Sequence, residues 1–541
     1  MLKRLLSGAL LLTLVVACSK TGTQGAPGAG VEPGHLRIAI QSDVKNLNPL
    51  LNSNTTDVLV DALMFEPLIV PDSKGAMQPM LATTVPTLHN GGITNHGLTI
   101  TYHLRTDAKW TDGKPVTAAD VIFSWKAIMN PNNDVISRHG YTDIASIDAP
   151  TPYTVVVHLK KPFAPFVNTF FTDSDQPYFI APAHVLARYP NINTIPFNSE
   201  PLVSDGPFRF ADWVHGDHIT LLRNDNFFLG KPKLKTITLR IIPDENTTIN
   251  LLRTHDIDWM FEASISNYPL VKSIPGIDIR WMSANGFSGI YVNTQRPFLK
   301  SLRVRQAVAA AIDKQRIIDT LTFGQEKKAI ADVPPFMWSY DPKVKAIGYD
   351  PAKARTLLDA AGWKAGPGGI RVKNGQQLEL VLVTDNSNAT RVKKSEIIQE
   401  MLRKVGIKVQ VKYFAGDVLF APAGVGGILQ GGKFDLALAG WFAGIDPDDS
   451  TQTTCANVAP AGYNYSRYCN PEMERLQKLA LTSYDRATRK KAYAKIQQLL
   501  ATDVPMIYLY YERQMEPISA SFKGFAPNHV VESWNAWQWS I

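Results

Sequence analysis

Residues 97–125 read GLTITYHLRTDAKWTDGKPVTAADVIFSW. Within them Leu98, Ile100, Tyr102 and Leu104 alternate with polar neighbours, the period of a strand with one face buried. Thr117 then stands where a helix cap is wanted, with Asp120 three positions on to answer it. Val121, Trp125 and Ile128 place apolar side chains on one helical face before Pro131. The stretch predicts a half-buried strand followed by a capped helix.

Working outward, residues 35–40 predict a short strand, a polar loop holds Asn46, Leu47, Asn48 and Pro49, and residues 58–65 are apolar-periodic. Residues 154–159, 219–222 and 236–242 are further strands, so the first 290 residues are mostly β with scattered helices. Beyond residue 300 helix alternates with strand. Ser301 caps a helix with Val304, Val308, Ala311 and Ile312 on one face, and Asp313 caps the next, which holds Ile317, Ile318 and Leu321 before Gly324. Pro351 follows Asp350 at the first position of a helix that closes at Gly362. Ile397, Ile398, Met401, Leu402 and Val405 form a stripe ending at Gly406, after which Ile407, Val409, Val411 and Tyr413 continue as strand. A helix and strand joined at a glycine is the pattern of a crossover unit in an α/β fold. Asn470-Pro471 and Asp485 start two more helices, and residues 506–511 return to strand. Residues 424–432, rich in glycine, read as a flexible surface loop.

With 541 residues, 45% of them apolar and 19% charged, the chain can bury a large core without metal or disulfide staples. Small scaffolds, collagen-like and disordered chains are excluded. So is a multispanning membrane protein, because the one apolar run, residues 5–16, is too short to cross roughly 30 Å of hydrocarbon. That run follows Lys3 and Arg4 and leads to Leu14-Val15-Val16-Ala17-Cys18, the layout of an export signal. It resembles the bacterial lipoprotein lipobox, which implies cleavage after residue 17, lipidation of Cys18 and a flexible lipidated tether over residues 18–33. Loss of Lys3 and Arg4 takes the formal charge from +8 to +6. No basic run exceeds Arg489-Lys490-Lys491, so the charge is dispersed and predicts no nucleic-acid partner. Once exported, Cys455 and Cys469 meet an oxidising compartment, where a disulfide and two free buried thiols are both options.

Motifs for catalysis are sparse. HExxH, CxxC and GxSxG are absent, and Ser288 lacks the second-glycine spacing. His215 and His218 have no third clustered ligand and read as surface residues. Gly427, Gly432 and Lys433 echo a phosphate loop, but Phe434 replaces the Ser or Thr that would hold magnesium. Asp446, Asp448 and Asp449 offer paired carboxylates, although Asp-Pro-Asp is first a turn former. Aromatic residues beside turn formers, Trp441-Phe442 and Tyr463-Asn464-Tyr465, suit a cleft for an extended organic ligand as well as a core.

Taken with its surroundings, the 97–125 stretch resembles the signature of family 5 bacterial extracellular solute-binding proteins, the dipeptide and oligopeptide receptors of ABC importers. Further blocks match in order. Residues 63–68 resemble an early helix, Gly206-Pro207-Phe208 with Arg223-Asn224 and Phe227 a strand pair, and residues 256–258 a turn. Tyr291-Val292-Asn293 with Pro297-Phe298 and residues 304–313 follow, then Phe434-Asp435, Trp441, Asp446-Pro447, Tyr468-Cys469 and Asp503-Val504-Pro505. The resemblance spans roughly residues 34–541.

It implies an α/β, two-lobed periplasmic-binding-protein clamshell. Lobe one would hold residues 34–290 plus 515–541, with a subdomain inserted at about 76–199, and lobe two residues 291–514. Two crossings near 286–292 and 512–516 would form a hinge closing on the solute. Peptide-binding members hold the ligand's α-amino group with an Asp soon after the loop tryptophan. Here the loop Trp441-Phe442-Ala443-Gly444-Ile445-Asp446-Pro447 is one residue short, with Gly444 where the acid is expected. Dipeptide binders add an Arg about fifty residues earlier, and residues 384–388 contain none before Arg391. Since losing a buried ion partner costs several kcal/mol, oligopeptides held by backbone hydrogen bonds are favoured over dipeptides. The spacing of Cys455 and Cys469 follows the disulfide of dipeptide-receptor relatives.

The implied function is a monomeric, non-enzymatic receptor needing no cofactor, exported to the periplasm or cell surface and anchored to the membrane by lipid. It would pass peptides to an ABC permease and ATPase. Ligand contacts are expected from Asn54, Thr55, Thr56, Asn293, Trp441, Phe442 and Gly444. Within the same fold an oligosaccharide or metal chelate is the alternative. From another class come a hydrolase using Asp446 with Asp448 or Asp449, and a sensory or adhesive receptor.

Overall fold

The computed structural model describes residues 30–172, 177–386 and 389–541. The signal segment, Cys18 and most of the tether lie outside the described residues. No described helix is long and apolar enough to cross a membrane.

An 11-stranded mixed sheet runs through the molecule. From one edge its path is Lys408–Phe414, Glu379–Asp385, Leu436–Phe442, Ile277–Val292, Met506–Ser519, Trp259–Met260, His35–Ile40, Thr236–Ile241, His218–Arg223 and Phe208–Val214, with Lys327–Lys328 pairing off to the side of Met506–Ser519. Two long strands make its centre. Ile277–Val292 and Met506–Ser519 pair antiparallel from Ile277 opposite Ser519 to Tyr291 opposite Met506. Between them the register breaks: Ser283 faces Arg513 and Phe287 faces Tyr511, so residues 284–286 stand opposite Glu512 alone. Extra residues on one strand of a pair bend it and strengthen its twist. On one side of the break the sheet continues through Trp259 opposite Ile518, and on the other through Leu436–Phe442.

The apolar clusters divide about the same break. One gathers Leu36, Phe65, Tyr102, Trp259 and Trp539; two others hold Ile290 to Tyr510 and Phe287 to Tyr511. The C-terminal tail returns to the first body through an aromatic knot in which Trp539 meets Trp259 edge-on at 5.7 Å and Phe522 at 5.3 Å. Trp539 is fully buried, so truncating it to Ala would cost about 3–5 kcal/mol.

The strand–helix reading of residues 97–125 holds. Thr99–His103 lies inside a four-stranded antiparallel sheet ordered Ile93–Thr94, Thr99–His103, Thr154–Leu159, Ile144–Thr151. Helix Ala118–Met129 is closed by a capping box, in which the Asp120 side chain accepts from Thr117 N at 2.8 Å. Asp313, Asp350, Asn470 and Asp485 each cap a helix by accepting from a backbone N–H two or three residues on. Glu379–Asp385 and Lys408–Phe414 pair in parallel around helix Ala389–Arg403, the crossover unit. Gly406 sits at the joint with φ +89°, a left-handed turn that favours glycine.

Three expectations are corrected. The early helix is Thr55–Met64 and ends before residues 65–68, where the backbone turns extended at Phe65. Residues 424–432 are more ordered than a flexible loop: Ile428–Gly431 is a helical turn, and a side chain at Gly427 would strike the Ala421 carbonyl. The 506–511 strand runs on to Ser519, because beyond Tyr511 it leaves one apolar cluster and enters another.

Candidate functional site

The strand Leu436–Phe442 carries the loop aromatics into the space between the two bodies. Phe442 pairs with Gly286 and Trp441 with Phe287. Gly286 leaves room for the Phe442 ring; a Cβ there would lie 2.5 Å from Phe442 Cδ1. Ahead of the loop, Asn285 acts as a clamp: its carbonyl accepts from Ala443 N at 2.8 Å and its side-chain amide donates to the Gly444 carbonyl. Trp441 leans on Tyr463 at 5.3 Å between ring centres, while Phe442 is 58% exposed.

Residues between 137 and 169 supply the opposite wall. Ser137, His139, Pro165, Asn168 and Thr169 face Trp441, Phe442, Gly444 and Tyr463 across a cavity of about 290 Å³. His139 Nε2 lies 3.9 Å from Asp448 Oδ2. Asn168 Nδ2 donates to Asp446 Oδ2 at 3.1 Å, and Asp446 Oδ1 accepts from Arg489 Nη2 at 2.5 Å. A second tie closes the gap elsewhere, where Tyr484 Oη meets the carbonyls of Gly97 and Phe163, each at 3.0 Å.

The carboxylates of the loop are occupied or buried. Asp446 is the counter-ion of Arg489, with both side chains at most 8% exposed. Burial pushes the Asp448 carboxyl above the usual range, and the Asp446 charge adds to it. Asp449 is raised well above that range by burial and by Asp332, and accepts from Gln477. One aromatic wall, an amide-clamped loop and a cavity at the small end of ligand-site volumes suit binding of a flat or extended group.

Trp441, Phe442 and Gly444 therefore come together on one cavity. Asn293 does not join them: its Nδ2 donates to the carbonyls of Phe434 and Gly432 at 3.2 and 3.3 Å, so this 2%-exposed amide fixes a turn. Asn54, Thr55 and Thr56 lie at a helix start away from the cavity lining. Asn54 accepts from Asp57 N at 2.9 Å as the cap, Thr55 donates to Glu262 at 2.9 Å, and Thr56 is buried. Arg391 pairs with the buried Asp385. His215 and His218 each lie beside an aspartate, Asp43 and Asp217, and no group of three metal-ligating side chains occurs among the described residues. Cys455 and Cys469 form a disulfide. Asn285, His139 and Asn168 carried no sequence signal, since nothing local marks them as neighbours of the 441–449 loop.

Residues 76–462 match the model of bacterial extracellular solute-binding proteins, family 5. The chain belongs to this family. It is similar to the oligopeptide-binding protein AppA of Bacillus subtilis, 26% identical over 540 residues that cover 98% of this chain and 96% of that one. The solved structure of B. subtilis AppA in complex with a nonapeptide superposes with a TM-score of 0.74 at 26% identity, covering 94% of this chain and 99% of that chain. NikZ from Campylobacter jejuni in complex with Ni(L-His) superposes with a TM-score of 0.77 at 27% identity, covering 94% and 100%. The two-lobed clamshell is thus the fold of this family 5 protein.

Proposed function

We propose that this chain is the peptide receptor of an ABC importer, preferring oligopeptides to dipeptides, and that the cavity between the Trp441–Gly444 loop and the inserted segment receives the ligand. The carrying observation is the composition of that cavity: Trp441, Phe442 and Tyr463 on one side, with glycine at the position where an anchoring acid would serve a ligand's ammonium group. AppA, solved in complex with a nonapeptide, supports the longer-peptide reading. In this proposal residues 34–290 with 515–541 form one lobe, carrying an insertion at about 76–199, and residues 291–514 form the other. The register break opposite Glu512 is then the hinge. Cys18 carries the lipid that keeps the monomeric receptor beside the permease.

Isothermal titration with peptides of two to nine residues tests it. Affinity should rise beyond three residues and fall at least tenfold in Trp441→Ala. Peptides that produce no heat, while native mass spectrometry finds another co-purified solute, would exclude the reading.

A metal chelate is the second reading, favoured by His139, whose imidazole lines the same cavity close to Asp448. The cargo would then carry its own ligands, and NikZ with Ni(L-His) is the structural parallel. Nickel with histidine, added together and separately, separates the two: only the joint addition should bind, and only with His139 present.

A further inference from the structure

The larger gap between the lobes lies beyond the Asn168–Asp446–Arg489 bridge. Asn168 lines both spaces, but Gly444 and Asp446 face the aromatic cavity, whereas Ile445 and Arg489 face a second one of about 890 Å³. Small-molecule sites usually measure roughly 300–1,000 Å³. Its walls again come from both lobes, with Lys74 and His529 on one side and Phe336, Trp338, Arg486 and Arg489 on the other.

Its chemistry differs from that of the first cavity. Phe336 stacks on His529 at 3.5 Å with the rings 12° from parallel, and Trp338 lies under the guanidinium groups of Arg486 and Arg489 at 5.0 and 5.3 Å. Asp485 is the one acid among the lining residues, and its carboxylate already accepts from Thr488 N at 2.8 Å and Thr488 Oγ1 at 2.5 Å. Lys74 and Arg486 are exposed at the rim. Arg489, 7% exposed, spends Nη2 on Asp446 and Tyr493, while its buried Nε–H has no partner. An aromatic floor with spare cationic donors is complementary to an anion on an apolar body, since planar guanidinium groups pair with carboxylates and stack on rings at once.

We propose that this cavity is a second ligand site, taking a carboxylate carried on an apolar group. The same chemistry is offered by a free organic acid and by the C-terminus of a captured peptide. Calorimetry on the full-length chain separates them, using 3-phenylpropanoate against its amide, and a phenylalanine-ended hexapeptide as free acid against its C-terminal amide. At least one acid should bind tenfold more tightly than its amide. That preference should vanish in the Arg486→Gln, Lys74→Gln double variant, whose altered side chains are exposed, and persist in Trp441→Ala. Preference for phenylpropanoate marks an independent site; preference in the peptide pair alone marks the end of the peptide cleft. Lack of preference in both pairs, or its survival in the double variant, overturns the proposal. If neither hexapeptide binds, the peptide reading fails by itself and the phenylpropanoate pair still decides.

Discussion

Asn168 reaches across the gap to donate to Asp446 at 3.1 Å, and the carboxylate it meets is also the buried partner of Arg489. One carboxylate thus accepts from Asn168 through one oxygen and from Arg489 through the other. The two roles are separable by mutation. Asp446→Asn leaves a buried guanidinium without its counter-ion and should cost about 3–5 kcal/mol of stability, measured by urea unfolding. Asn168→Ala should change stability far less, yet expand the radius of gyration seen by small-angle scattering of the ligand-free protein. Equal loss of stability in both variants would contradict this division.

Gly97, at the start of residues 97–125, has φ +85°, and a Cβ on it would fall 2.0 Å from the Tyr484 ring. Gly97→Ala should therefore add the strain of a left-handed alanine, about 1 kcal/mol, and push Tyr484 off its two carbonyl partners. Tyr484→Phe should loosen the same contact without backbone strain. A scattering envelope unchanged in both variants would show that this contact does not hold the lobes together.

Placing Asp at position 444 should restore an anion in the aromatic cavity. Gly444→Asp is expected to gain at least tenfold for peptides with a free N-terminus over the same peptides acetylated, a preference the parent chain should lack. Equal gains for both forms would mean that position 444 does not face the ligand's amino group.

Stability should vary with pH through two buried groups beside the register break, Glu326 and Lys394. Burial pushes the Glu326 carboxyl up to about 8 from 4.5, and its Oε2 has no partner. The folded state then holds a proton that the unfolded chain releases, so the stability from this group is complete below pH 4.5 and is lost as pH rises to about 8. Lys394 bonds to Ser288 Oγ at 2.7 Å and Tyr510 Oη at 2.6 Å, and burial pushes its amine down to about 8 from 10.5. Its sign is opposite: the unfolded chain holds the extra proton, and stability recovers between about pH 8 and 10.5. Unfolding midpoints should pass through a minimum near pH 8. Glu326→Gln should flatten the acid-side slope and raise the pH 8 midpoint; an unaltered slope would assign it to other groups.

The disulfide between Cys455 and Cys469, 14 residues apart, closes the segment that carries Tyr463 beside Trp441. Replacing both cysteines with Ser should cost about 3 kcal/mol in the loop-closure picture. Peptide affinity should fall as well, because Tyr463 loses its fixed approach. Stability lost with affinity intact would confine the bridge to folding.

Much of the fold was legible wherever a structural signal is local. Asp313, Asp350, Asn470 and Asp485 announce helices because a cap meets a backbone N–H two or three positions away. The strand Ile277–Val292 was not legible as one element. Its first part alternates in burial, but from residue 284 onward both faces are covered, so the two-residue period disappears.

Sequence by itself determined the caps, the crossover unit and membership of the family, and through the family's loop it also pointed to Trp441, Phe442 and Gly444. Tertiary structure alone decided which side chains meet them. Asn285 reaches Gly444 over 159 positions and Asn168 reaches Asp446 over 278, while Asn293, matched by position, spends its amide on a turn. Such contacts are made when the central strands bring distant segments to one gap, and no local periodicity records where a side chain will be pointing once that has happened.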